Sequence, residues 1–101
     1  MSIRIATFTG NGRIVDESDN AHVIVIEFHA RSDNSGNVYV GGSDVTTING
    51  REIVPGDSYV LNLSLPDVAR HAGRVLLSSF YALCPGGDSV DWSAIIRDSA
   101  A

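Results

Sequence analysis

The sequence contains no lysine, a single cysteine and no long apolar run, and each shortage removes a class of chemistry. A phosphate-binding loop needs a lysine, as does a Schiff base, so neither is available to this chain. With only Cys84, no internal disulfide and no Cys-x-x-Cys site can form. Its place at the end of Phe80-Tyr81-Ala82-Leu83 reads as a buried small hydrophobe rather than a reactive thiol. No stretch approaches the roughly 18 apolar residues that span a bilayer, so no membrane partner is expected. The opening Met1-Ser2-Ile3-Arg4-Ile5 lacks the basic then apolar run of a signal peptide, which predicts a protein that stays in the cytoplasm where it is made.

Basic charge is sparse as well. Seven arginines are spread singly against twelve acidic residues, for a net charge of −5. A nucleic-acid binder carries a basic face that releases counterions from phosphates, so no nucleic-acid partner is expected.

The residues that remain for catalysis or metal binding are scattered. His22 and His29 are seven apart, an odd number, so a continuous strand would project them from opposite faces. His71 has Arg70 and Arg74 beside it, a setting that weakens metal binding. Neither a metal nor another cofactor is expected. There is no Gly-x-Ser-x-Gly elbow, and a Ser-His-Asp triad is defined by a geometry that counting residues cannot supply. Asp16 and Glu17 lie in a polar loop. Asp88 and Asp91 flank a turn beside Trp92, which would suit a sugar-binding surface, although a tryptophan on the apolar face of a strand is more often core. No catalytic residue is assigned, and the chain is not expected to be an enzyme.

What the sequence does hold is strand patterning. With apolar residues at 44%, a domain of 101 residues can bury roughly two thirds of its unfolded surface without staples. From His22 to Ala30, Ile24, Ile26 and Phe28 alternate with Val23, Val25, Glu27 and His29. From Ser58 onward, Tyr59, Leu61, Leu63 and Leu65 point one way, and Ser58, Asn62 and Ser64 the other. Val90, Trp92, Ala94 and Ile96 repeat the pattern against Asp91, Ser93 and Arg97. Leu76 to Leu83 is apolar on both faces, which predicts a central strand or one at a subunit contact. Ser2 to Phe8 and Val38 to Val40 are shorter strand candidates.

Turn residues punctuate these runs. Asp33-Asn34-Ser35-Gly36 and Pro85-Gly86-Gly87-Asp88 read as hairpin links, Asn49-Gly50 as a two-residue turn with positive φ at both residues, and Pro55-Gly56 as the centre of a type II turn. Gly41-Gly42-Ser43 reads as a strand-end bulge before a turn begun by Asp44. Gly10-Asn11-Gly12 and Asp16 to Asn20 form one long loop. Only Pro66 to Ala72 suits a helical turn. Short, evenly spaced strands with no helix for a parallel crossover predict one all-β domain, an antiparallel β-sandwich or barrel.

One segment carries a resemblance. Asn37-Val38-Tyr39-Val40-Gly41-Gly42-Ser43-Asp44-Val45-Thr46-Thr47, then Asn49-Gly50 and Pro55-Gly56-Asp57-Ser58, resembles a pattern of small β-sandwich virion proteins of tailed phages, of the capsid decoration or cement type. Val23 to Phe28 with Ser35-Gly36-Asn37 looks like that family's first core strand and hairpin. Phe80 to Leu83 and Ser89 to Trp92 look like its closing one. Together the likeness covers residues 22 to 97. Arg51-Glu52, where the family is more often apolar, and the long Pro66 to Arg74 insertion depart from it. The resemblance implies a non-catalytic protein of the virion, made in the host cytoplasm, that coats and stabilises a capsid. Its partners would be the major capsid protein and neighbouring copies of itself in a homotrimer. A neck, tail or baseplate piece, or a glycan-binding module, is the alternative.

On this reading, residues 1–21 form a terminal strand or arm with a mobile loop, 22–97 the sandwich core, and 98–101 a tail. The candidate capsid or subunit contacts are Ile3, Arg4, Ile5, Phe8 and Arg13 on the arm, and Arg51, Arg70 and Arg74 as cations for acidic patches on a shell.

Overall fold

The computed structural model describes residues 2–63 and 75–97, and these form an all-β fold of two antiparallel four-stranded sheets. The strands are β1 (Ser2–Thr9), β2 (Asn11–Arg13), β3 (His22–Ala30), β4 (Val38–Gly41), β5 (Arg51–Ile53), β6 (Ser58–Asn62), β7 (Tyr81–Leu83) and β8 (Ser89–Arg97). Sheet A has the order β1-β8-β3-β6 and sheet B the order β2-β7-β4-β5.

The chain visits the sheets in consecutive pairs. β1 and β2, β3 and β4, β5 and β6, and β7 and β8 each hold the same rank in the two orders, so each pair is one path that turns a corner from sheet to sheet. Among the described strands, only β4 and β5 follow one another within a sheet, Val38 facing Ile53. This overturns two hairpin expectations. Asp33 to Gly36 and Pro85 to Asp88 link strands of different sheets, so they are corners.

The two corners hold each other. The Asp88 carboxylate accepts hydrogen bonds from the backbone N–H of Ser35 at 2.9 Å and of Gly36 at 3.0 Å. Asn34 donates from Nδ2 to the Ser89 carbonyl at 2.8 Å and accepts from the Ser89 N–H at 3.0 Å. Turn-forming residues thus also supply the donors and acceptors that fasten one crossover to the other.

The core lies between the sheets. β8 presents Val90, Trp92, Ala94 and Ile96 inward, as its alternation predicts. Phe28 packs at a centroid distance of 5.8 Å from Phe80 and lies opposite Trp92 across the β3–β8 ladder. Phe28, Ile26, Leu77, Val38 and Val90 are fully buried, and burying each stabilises the fold by roughly 1.5–3 kcal/mol.

Three local expectations need correction. β3 does not keep one phase: Val23 pairs with Ile96 and Val25 with Ile95, leaving Ile24 as a bulge. Val23, Ile26, Phe28 and Ala30 are the buried set, and Ile24 is not among them. The extra residue also reverses the histidine parity. His22 and His29 both stand at outward positions, opposite Arg97 and Asp91, at the two ends of the strand.

The apolar run from Leu76 to Leu83 is not one strand. Leu76 makes an isolated bridge with His22, Leu77–Ser79 is a 3-10 turn, and only Tyr81–Leu83 joins a sheet, where β7 does hold a central place. Finally, Asn49 and Gly50 lack the positive φ of a two-residue turn. The Asn49 carboxamide instead accepts from the Thr46 N–H at 2.6 Å and donates to the Asp44 carbonyl at 2.9 Å. Pro55-Gly56 behaves as predicted: Gly56 has φ 89°, and the Asp57 N–H closes the turn on the Val54 carbonyl.

The loop expected from Gly10 is also shorter than its sequence implied. Asn11–Arg13 is a strand paired with β7, and Ile14 is buried. The helical turn expected at Pro66 to Ala72, with His71, lies outside the described residues, as do Leu65 and the 98–101 tail.

Candidate docking face

The outer face of sheet A divides into an apolar end and a polar end. At the apolar end, Ile3, Ile95 and Val25 stand in one cross-strand row, and in the next row Ile5 of β1 and Val60 of β6 flank Ser93 and Glu27. Ile3, Ile5 and Val60 are 69%, 78% and 54% exposed. Ile3, Val25, Val60, Ile95 and Ser93, with Glu27 as the only charge, line a shallow depression of about 260 Å³. Scattered exposed aliphatics are ordinary, whereas a patch that gathers aliphatic residues from four neighbouring strands marks a surface suited to another apolar surface.

At the polar end, Thr7, Asp91, His29 and Ser58 occupy one cross-strand row. Thr7 donates to Asp91 at 2.6 Å, and Arg31 Nε reaches the same carboxylate at 3.2 Å. The His29 Nδ1 lies 2.8 Å from Ser58 Oγ. Serine, histidine and aspartate therefore stand in the order of a triad, but no hydrogen bond joins His29 to Asp91. A triad's acid holds the imidazole in place, and here Asp91 is engaged by Arg31 and Thr7 instead. The arrangement supplies cross-strand polar pairing on an open face.

The candidate contacts separate on this frame. Ile3 and Ile5 reach the apolar end. Arg4 points to the other face of β1 and pairs with Asp19. Phe8 is half-buried against the core. Arg13 sits 5.0 Å over the Tyr81 ring, donates to its hydroxyl, and meets Glu17 at 3.2 Å. Arg51 stacks 4.7 Å over Tyr59. Arg70 and Arg74 lie outside the described residues. Among the described residues, the candidate arginines Arg4, Arg13 and Arg51 are engaged away from the apolar end. Val25, Val60 and Ile95 were not singled out from sequence, yet they carried a signal. Each is an aliphatic residue on the phase of its strand that alternation reserves for polar side chains.

Two other groups have settled roles. Hydrogen bonding from the Ser35 N–H, opposed by partial burial and reinforced by the Gly36 N–H, holds the Asp88 carboxyl below the usual carboxylate range. Cys84 is 2% exposed, and burial, followed by the nearby Asp88 charge, pushes its thiol up to about 11. It is a protonated core residue at neutral pH. Trp92 is likewise 3% exposed, which leaves the sugar-binding idea without its aromatic platform.

Among the described residues, no cluster of His, Cys, Asp or Glu has the arrangement of a metal site, and no helix is long and apolar enough to cross a membrane. No protein-family model matches the chain, and no curated protein or solved structure is significantly similar to it.

Proposed function

We propose that the chain is a structural, non-catalytic component of a tailed-phage particle, a decoration or cement protein that attaches to the major capsid protein through the outer face of sheet A. The observation that carries this reading is the apolar patch made by the exposed Ile3, Ile5 and Val60 with the half-buried Ile95 and Val25. An all-β domain whose bare sheet face is apolar is built to be covered by another surface, and desolvating aliphatic side chains is what drives such attachment. The turn and strand motifs between residues 37 and 58 supply the phage part of the reading, by resemblance alone. A neck, tail or baseplate position would use the same face.

The test is attachment to undecorated heads. Purified chain is mixed with capsids lacking decoration, and co-sedimentation and the capsid melting temperature are measured. Binding with a raised melting temperature is expected, and Val60→Asp, which places a charge on the β6 side of the apolar patch, should reduce binding at least tenfold while leaving the circular dichroism spectrum unchanged. Absence of binding by the parent chain, or full binding by Val60→Asp, defeats the assignment.

A further inference from the structure

Sheet A ends on a long strand whose outer edge meets no other strand among the described residues. β1 pairs along its whole length with β8, Ser2 with Ile96 through Thr9 with Ser89. In an antiparallel ladder alternate residues turn their N–H and C=O toward the partner, and the residues between turn theirs away. An eight-residue edge therefore offers a further strand a row of donors and acceptors.

Natural sheets blunt such edges with short strands, charges, proline or bulges. The other edges here follow that practice. β2 and β5 are three residues each, the first carrying Arg13 and the second Arg51 and Glu52, and β6 has five residues. β1 has eight, with no proline and no register shift against β8. Its only charge, Arg4, pairs with Asp19 of the same chain. None of the twelve acidic residues lies on β1, so this edge escapes the repulsion that a net charge of −5 imposes between copies elsewhere.

We infer that β1 is an association edge for a second copy of this chain, the two β1 strands pairing antiparallel about a two-fold axis so that two four-stranded sheets become one of eight. The sequence also selects a register. Directly opposed residues must point to the same face, which leaves registers centred on a single residue facing its own copy. Centring on Arg4 sets two like charges side by side. Centring on Ala6 opposes Arg4 to the apolar Phe8. Centring on Ile5 places Ile5 against Ile5, Ile3 against Thr7, and Arg4 against Ala6. The exposed Ile5 side chains of the two copies then cover each other, bringing the two apolar patches together across the axis.

This pairing goes beyond the proposed capsid attachment and does not depend on it. It also differs from the trimer that the resemblance implies. Sedimentation equilibrium of the full chain separates the two states, with circular dichroism melts as the folding control. The parent and Val60→Lys, whose substitution lies on the far edge strand, should sediment as dimers. Ile5→Lys should sediment as a monomer with an unchanged melt. Under mild oxidation Ile5→Cys should form a disulfide-linked dimer, its opposed Cβ atoms being about 4.5–5.5 Å apart, while Ile3→Cys should not. A parent chain that is monomeric or trimeric overturns the inference, as does a dimer that survives Ile5→Lys or cross-links equally through residue 3. If Ile5→Lys does not fold, the two cysteine variants decide the matter.

Discussion

The two sheets share one core but treat their outer faces in opposite ways. Sheet B is built of strands three or four residues long, and part of its outer side is covered by its own chain. Arg13 lies over Tyr81, and the loop between β4 and β5 folds back so closely that a Cβ on Gly50 would stand 3.0 Å from Cβ of Tyr39. In sheet A, β1, β3 and β8 run for eight or nine residues, and its outer side keeps Ile3, Ile5 and Val60 in solvent. A chain able to cover one sheet with a loop and a stacked arginine leaves the other bare at its apolar end. That contrast is why sheet A is the side proposed for attachment.

The sharpest test of the contrast is removal of residues 1–13. An accessory arm could be cut away without loss of the domain. Here the deletion takes the edge strand of both sheets, β1 from beside β8 and β2 from beside β7. It uncovers one side of the strand that carries Val90, Trp92, Ala94 and Ile96, and it removes the Phe8 side chain from the core margin. Loss of cooperative unfolding is expected, measured by near-ultraviolet circular dichroism and a thermal melt. A truncated chain that melts like the parent would return residues 1–13 to the status of an arm.

A smaller effect separates the covered sheet from the bare one. Gly50→Ala adds a Cβ 2.7 Å from Val45 Cγ2 and 2.8 Å from the Thr46 carbonyl oxygen, and the backbone contact has little freedom to give. Overpacking of this kind costs about 1–3 kcal/mol, so the melting temperature should fall while capsid attachment at a temperature where the variant is folded stays at the parent level. Val60→Asp should do the reverse, because surface substitutions move stability by about 0.5 kcal/mol or less. If Gly50→Ala weakened attachment as strongly as Val60→Asp, the distinction between the faces would collapse.

The sequence made the strands legible and their grouping much less so. Period-two alternation located β8 and β6, because each has one buried side and one wet side. It mistook the phase of β3, since the Ile24 bulge inserts one residue that leaves no compositional trace between two valines. Turn residues were recognised, but a Gly or Pro signal states only that the chain bends. Whether Asp33 to Gly36 returns to the same sheet or crosses to the other is decided by long-range pairing, here the grip of Asp88 and Ser89 on residues 34–36, more than fifty positions away. The apolar patch on sheet A was half legible. Ile3 and Ile5 were named as contacts on β1, whereas the arginines named with them serve ion pairs and ring contacts that depend on tertiary neighbours.

The grip of Asp88 also makes the joining of the two sheets sensitive to acid, and this is the smallest of the expected effects. The carboxylate accepts from two backbone N–H groups and the Ser35 hydroxyl, and its pKa lies below the unfolded value. A group depressed in this way contributes stability that is full above the unfolded pKa of about 4 and is lost as pH falls through the lower folded value. Asp88→Asn keeps one oxygen acceptor but turns an amide donor toward an N–H, so at neutral pH it should melt below the parent by less than Gly50→Ala does. The gap should narrow progressively below about pH 4, as the parent carboxylate takes up its own proton. Melts of both chains between neutral pH and the acid range measure it. A gap that stays constant with pH would mean that the crossovers are held by packing around Val38 and Val90 rather than by the Asp88 charge.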